Sequence, residues 1–219
     1  LSANPLIIPA GQGSASFRIN VNEDILYEAG ETVVIAISNI ENGRYGAILV
    51  HTATILNDDP APVISFRYET SELPETALDA ETNRVANVEV RLDAVSGQPA
   101  YAALELSGTA ARGQDYELLT PSLVEIPAGS TSVFVMLEIY DDLMDEDPET
   151  VLLTLVNPFD AVLGTPSQHT LTINDDDLPP TVSFEVAAQR VPEGAAQAEV
   201  LVQLSAPSGR EISVPFAVS

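Results

Sequence analysis

The stretch Ser132-Val133-Phe134-Val135-Met136-Leu137-Glu138-Ile139-Tyr140-Asp141-Asp142 decides the fold. Val133, Val135, Leu137 and Ile139 fall at every second position, the period of a strand with one face in a core. The strand then runs into acid, with Asp141, Asp142, Asp145, Glu146, Asp147 and Glu149 inside one short loop. A buried strand ending in a carboxylate-rich turn recurs along the chain.

Self-comparison shows the recurrence. Ile8-Pro9-Ala10-Gly11 returns as Ile126-Pro127-Ala128-Gly129, an offset of 118 (126 less 8). The same offset pairs Asp24 with Asp142, Glu28 with Glu146, Glu31-Thr32 with Glu149-Thr150, and Asp58-Asp59 with Asp176-Asp177. It continues through Ser65-Phe66 with Ser183-Phe184 and Pro74-Glu75 with Pro192-Glu193. After an insertion at Ala77 to Thr82 the offset becomes 112 (200 less 88), matching Val88, Val90 and Leu92 to Val200, Val202 and Leu204. One repeat is complete, residues 62–178; residues 1–61 are the C-terminal half of a preceding repeat and 179–219 the N-terminal half of a following one. Either the chain is an excerpt of a long array, which the start at Leu1 without a methionine favours, or the C-terminal half of one molecule completes the N-terminal half of the next, head to tail.

Seven segments of the complete repeat alternate apolar and polar residues between Pro, Gly, Asp and Asn punctuation: residues 63–68, 85–92, 101–106, 118–126, 132–140, 150–156 and 168–174. Seven short strands in about a hundred residues predict an all-β, seven-stranded immunoglobulin-like sandwich in tandem repeats. If successive strands run in opposite directions, the loops after the first, third, fifth and seventh segments share one pole. That pole collects Glu72, Glu75, Asp79 and Glu81; Asp115 and Glu117; Asp141, Asp142, Asp145, Glu146, Asp147 and Glu149; and Asp175, Asp176 and Asp177. The other pole receives Asp93 and Asp160.

Composition sharpens the point. Against 33 acidic residues stand 8 basic ones, giving a net charge of −25, and every basic residue is an arginine. Such a chain repels phosphate backbones and anionic headgroups and has no basic stripe, which excludes nucleic-acid binding. Acid scattered for solubility in salt would not sort to one pole; acid gathered for a cation would. With no cysteine, neither disulfides nor thiolate metal sites exist, and no apolar run approaches the ~20 residues of a membrane-spanning helix. Calcium suits the ligands, because it takes 6–8 oxygens at about 2.3–2.6 Å in irregular geometry, whereas magnesium demands near-ideal octahedra. The bland alternatives are a solvated acidic pole that keeps sheet edges apart and, for Asp58-Asp59 and Asp175 to Asp177, plain linker ahead of prolines. His51 and His169, equivalent in the repeat, read as structural strand residues. Paired carboxylates without aromatic sugar platforms do not make a glycosidase, and nucleophile elbow, zinc and phosphate-loop motifs are absent, so no enzyme is expected.

Val63 to Phe66, Pro74-Glu75, Gly108-Thr109-Ala110, Gly113-Gln114-Asp115-Tyr116, Ile139-Tyr140-Asp141-Asp142, Glu146, Glu149-Thr150 and Ile173-Asn174-Asp175-Asp176-Asp177 together resemble the Calx-β domain. That domain occurs in sodium-calcium exchangers, an integrin cytoplasmic tail and many large surface proteins. The resemblance implies Ca²⁺ ligands at Glu75, Asp115, Asp141, Asp142, Glu146, Glu149, Asp175, Asp176 and Asp177. Leu143 departs from the exchanger pattern, which has a third consecutive Asp there. A second site would be split between Asp24, Glu28, Glu31, Asp58 and Asp59 in the first piece and Glu193 in the last, with Glu23 and Asn57 replacing two aspartates. The implied setting is extracellular or cell-surface, and the implied partners are calcium ions and adjacent repeats or copies of the chain. Two roles follow: a structural or adhesive module stiffened by calcium, or a regulatory calcium sensor acting on a partner.

Overall fold

The computed structural model describes residues 5–76 and 83–218. Asp79 and Glu81, assigned to the acidic pole from the sequence, lie outside these. Fourteen strands occur among the described residues. The first piece supplies β1 (Glu31–Ala36) and β2 (Val50–Ile55). The central repeat supplies β3 (Val63–Phe66), β4 (Thr70–Pro74), β5 (Arg84–Leu92), β6 (Ala100–Gly108), β7 (Tyr116–Leu118), β8 (Leu123–Ile126), β9 (Ser132–Ile139), β10 (Glu149–Phe159), β11 (Val162–Leu163) and β12 (Gln168–Asn174). The last piece supplies β13 (Val182–Phe184) and β14 (Val202–Leu204).

The central strands form two five-stranded sheets, in the orders β4-β12-β10-β6-β8 and β11-β3-β5-β9-β7. Their facing sides carry the alternation read from the sequence. Val135, Leu137 and Ile139 of β9 are buried, while Phe134 and Met136 point outward. Ala86, Val88, Val90 and Leu92 of β5 meet Ala100, Ala102 and Leu104 of β6, with Val151, Leu153 and Leu155 of β10 and Leu171 and Ile173 of β12. The result is an immunoglobulin-like sandwich whose core is aliphatic apart from Phe66 and Tyr116.

The complete repeat has ten strands among its described residues where seven were expected. The first segment ends at Phe66 and the loop expected after it forms β4, so that β3 pairs with β5 in one sheet and β4 pairs in parallel with β12 in the other; β11, also in an expected loop, pairs in parallel with β3. The fourth segment is broken between Leu118 and Leu123, sending β7 to β9 and β8 to β6. At each change of sheet one run of chain serves both layers. The switch after Phe66 is anchored by the buried His169. Its Nδ1 lies 2.8 Å from the Tyr68 carbonyl, which only accepts, so Nδ1 carries the proton and Nε2 accepts from the Ser71 hydroxyl at 2.7 Å. His169 is therefore the structural residue expected, and the ring also packs 5.7 Å from Phe66.

The terminal pieces repeat this design in halves. β1 pairs with β2 in the register Glu31↔Ile55, as β10 pairs with β12 in Glu149↔Ile173. None of the described residues 5–61 or 174–218 is buried, and Ile7, Ile25, Val34, Phe184 and Val200 stay more than half exposed. Burial is what stabilises a sheet against chain entropy, so the pieces should open far more readily than the centre. Trypsin is expected to cut after Arg18, Arg44 and Arg190 well before Arg84 or Arg91 in β5, leaving a resistant fragment that spans the central repeat. Peptide mapping over a digestion time course checks this, and cleavage at Arg91 as fast as at Arg44 would contradict it.

Candidate metal centre

Strand register delivers the carboxylates. The parallel pair Asn174↔Pro74 places the ends of β12 and β4 level, and the Glu75 amide donates to the Asn174 carbonyl at 3.0 Å. Glu75 and Asp175 therefore leave the sheet side by side. Glu149↔Ile173 brings the start of β10 to the same height, and Tyr116↔Ile139 brings the start of β7 beside the end of β9. The Tyr140 amide donates to the Asp115 carbonyl at 3.0 Å, which ties the β6–β7 loop to the β9–β10 loop. The loops sort to one pole as strand alternation requires, but Glu72, expected in the first of them, lies within β4 opposite Thr172.

Three groups of ligand oxygens, each within 4.8 Å of one another, result: Glu75 with Asp142 and Asp177; Glu75 with Asp141 and Asp176; and Asp115 with Glu146 and Glu149. Asp175 lies between them, raising the pKa of both Glu75 and Glu146 by its charge, and Asp142 does the same. All nine central positions inferred from the sequence thus share one neighbourhood. Among the described residues no such group forms from Asp24, Glu28, Glu31, Asp58, Asp59 or Glu193. Leu143, at the family's aspartate position, is 82% exposed and adds no oxygen beyond its backbone.

The pole is electrostatically unbalanced. Desolvation, and then the charges of Asp175, Asp142, Asp177 and Asp176, push the Glu75 carboxyl up to about 8. Desolvation and a hydrogen bond with Asp115 push Glu149 up to about 7. Glu146 and Asp177 are also raised, chiefly by desolvation. Like charges at ~4 Å cost about 1 kcal/mol in water and about four times that near a protein surface. Asp175 Oδ1 and Asp177 Oδ2 are buried without a hydrogen-bond partner. Oxygen acceptors facing one another without donors are what a hard cation such as Ca²⁺ satisfies, so the residues fit that ion.

Not every acid at this pole is free for an ion. Glu117 is paired with Arg112, whose hydrogen bond lowers its pKa. Asp145 is 5% exposed and is held by Arg210, whose Nη1 donates to Asp145 Oδ1 at 2.9 Å while Nε donates to Asp147 Oδ1 at 2.9 Å. A further guanidinium nitrogen donates to the Glu146 carbonyl. Arg210 belongs to the following repeat, and nothing in its local sequence marks it as a partner of this loop. A scan for the few cations in an otherwise acidic chain would have raised it.

An immunoglobulin-like sandwich repeated in tandem, with carboxylates massed at one pole and the next repeat seated beside them, defines a class of modular β proteins built as arrays. The chain belongs to the Calx-beta domain family: the family model matches residues 3–61, 58–177 and 175–219. It is 31% identical over 191 residues to Extracellular matrix protein 3 of Lytechinus variegatus, covering 80% of this chain and 6% of that much longer protein. Among solved structures, the apo-form Calx CBD1 domain is 25% identical with a TM-score of 0.45, covering 54% of this chain and 100% of that one. The calcium binding domain CBD12 of CALX1.1 is 23% identical with a TM-score of 0.45, covering 64% of this chain and 56% of that one.

The raised carboxyls set a pH dependence. In metal-free protein Glu75 and Glu149 hold protons in the folded state up to about 8 and about 7, whereas the unfolded chain loses them near its ordinary carboxylate value. The folded state then binds more protons between roughly pH 4.5 and 8, so stability falls as pH rises through that window. The melting temperature in chelator is expected to drop from pH 5 to pH 8, and Glu75→Gln with Glu149→Gln to flatten the slope. A curve that rises with pH in chelator would contradict the electrostatic reading.

Proposed function

We propose that the chain is a calcium-binding structural module of an extracellular tandem array, divided at residues 1–61, 62–178 and 179–219, with Ca²⁺ bound at the acidic pole of the central repeat. The ligands are Glu75, Asp115, Asp141, Asp142, Glu146, Glu149, Asp175, Asp176 and Asp177. The observation that carries this reading is the pair of buried, partnerless oxygens on Asp175 and Asp177 amid carboxylates driven toward protonation. An ion there would bind the β4 end, the β6–β7 and β9–β10 loops and the stretch leading to Leu178-Pro179-Pro180 into one body. It would thereby stiffen the junction between repeats. No catalytic role is proposed.

An extracellular location is supported by the extracellular matrix relative. The terminal halves, whose apolar faces are uncovered, are read as being completed by complementary halves of neighbouring repeats. In an array these come from the same polypeptide, and between separate molecules the same pairing would act head to tail and make a filament.

Calcium that binds only the folded state stabilises it by about 2.7 kcal/mol at a hundredfold excess over the dissociation constant. For a domain of about a hundred residues that shifts the melting temperature by roughly 10–20 °C. Chelation is expected to lower the melting temperature by that order, and Glu149→Gln or Asp115→Asn to weaken binding about tenfold, the equivalent of ~1.4 kcal/mol. Isothermal titration checks both. A dissociation constant of about 10⁻⁴–10⁻³ M fits a constitutive extracellular module, one of about 10⁻⁷–10⁻⁵ M a regulatory sensor, and no melting shift with EGTA would refute calcium binding.

A further inference from the structure

The first piece and the last piece meet the central repeat through the same contact, made twice. At the first junction the Gly97 amide donates to the Tyr27 carbonyl at 2.9 Å, and the Ser96 hydroxyl donates to the same oxygen at 3.3 Å. At the second the Gly209 amide donates to the Asp145 carbonyl at 3.0 Å, and the Ser208 hydroxyl to that oxygen at 3.3 Å. Tyr27 and Ser96 form an isolated parallel bridge, as do Asp145 and Ser208. Within each turn the serine hydroxyl also accepts from the amide two residues on, Gln98 or Arg210, at 3.1 Å. Ser208-Gly209 stand at the 112 offset from Ser96-Gly97 (208 less 96), and Asp145 stands at the 118 offset from Tyr27 (145 less 27). Two junctions with different local sequences thus converge on one geometry.

Both turns also require glycine for the same reason. A Cβ on Gly97 would lie 2.7 Å from Glu28 Cγ and 2.9 Å from its Oε1, and a Cβ on Gly209 would lie 2.7 Å from Glu146 Oε1 and 2.8 Å from its Cγ. Glu28 and Glu146 are repeat equivalents, and in both the stem and the carboxylate end of the side chain are crowded together. Both receiving loops offer a backbone carbonyl, while the side chain beside it differs: Tyr27 reaches on to Asp160 at 3.3 Å, whereas Asp145 takes Arg210 and, through Oδ2, accepts from the Ser208 hydroxyl at 3.3 Å.

We propose that the Ser-Gly turn following the second strand segment of each repeat is a docking element for the preceding repeat, received by the acidic loop that carries Glu28 or Glu146. The partner that an acidic pole accepts is therefore a repeat with Ser-Gly at this turn. Because the glycine seats the side chain of Glu146, carboxylate included, docking and calcium binding at the central pole are coupled, and that clause rests on the calcium reading above. The coupling is reciprocal: calcium tightens the junction by the factor by which the junction tightens calcium.

Amide hydrogen exchange on the whole chain, in calcium and in chelator, tests both parts separately. The Gly97 and Gly209 amides are expected to exchange more slowly than those of exposed loops in either condition, and more slowly still at Gly209 with calcium. Gly209→Val should speed exchange across residues 142–149 and leave 23–30 alone, while Gly97→Val should do the converse. Gly209→Val should also weaken calcium binding about tenfold, within the usual span for coupled sites, with Ser208→Ala and Gly209→Ala as milder steps in the same direction should the valine variant unfold. Wild-type Gly97 and Gly209 amides exchanging at free-loop rates would overturn docking whatever calcium does. Matched loop opening in a chain that takes no calcium supports docking and refutes the calcium reading. Equal calcium affinity in wild type and all three variants would overturn the coupling.

Discussion

The structure depends on mutual repulsion among carboxylates that the strand pairing does not let separate. Glu75 is fixed by the parallel pairing of β4 with β12, Glu149 by the antiparallel pairing of β10 with β12, and Asp115 by the β7–β9 pair. Each pairing is cemented by aliphatic burial in the sandwich, so the core holds charges together that would otherwise move apart. The protein relieves part of the strain internally: Arg112 takes Glu117, and Arg210 takes Asp145 and Asp147. What remains is the set Glu75, Glu146, Glu149 and Asp177, all shifted toward protonation by desolvation and by the neighbouring carboxylates, Asp115, Asp142 and Asp175 prominent among them. A cation is the compensation this geometry calls for.

Much of this was legible in the sequence because strands have period two and loops alternate between poles. Val133 to Ile139 revealed a strand with one buried face, and the loop parity placed Glu75, Asp115, Asp142 and Asp175 together without coordinates. Less legible were β4, which forms in the polar stretch Thr70–Pro74, and the break after Leu118; at each the chain changes sheet. Such a switch is made by backbone direction and by a buried His169 bridging Tyr68 and Ser71, and periodicity carries no record of it. The junctions were also hidden. Their recognition runs through the carbonyls of Tyr27 and Asp145, which every residue type possesses, so the only trace in the sequence was the recurrence of Ser-Gly at 96–97 and 208–209.

The two poles of a repeat thus have unlike tasks. One gathers oxygen ligands; the other presents a turn whose serine is buried at the first junction, with 1% of Ser96 exposed, and half-buried at the second, and whose glycine leaves room for a neighbour's glutamate. A contact from one pole to the unlike pole of the next copy does not close on itself as a two-fold pair would, and repetition carries it along a line. The acid that keeps separate molecules apart by long-range repulsion is locally answered at each joint, by Arg210 in one case and by the Tyr27–Asp160 contact in the other.

The two acidic loops differ in how their polar atoms are satisfied, and one position contributes directly. Asp175 in the central repeat is Asn57 in the preceding one. Asn57 Oδ1 accepts from the Glu28 amide at 3.1 Å, and its Nδ2 donates to the Asp59 carbonyl at 2.9 Å. An amide supplies both a donor and an acceptor, so it closes that loop with hydrogen bonds alone. An ionised aspartate offers acceptors only, and Asp175 Oδ1 is left without a partner. Exchanging one nitrogen for one oxygen therefore separates a loop that is internally complete at this position from one that lacks a positive charge. The surplus of acceptors thus differs between two pieces of one chain whose strand register is the same, Glu31↔Ile55 against Glu149↔Ile173.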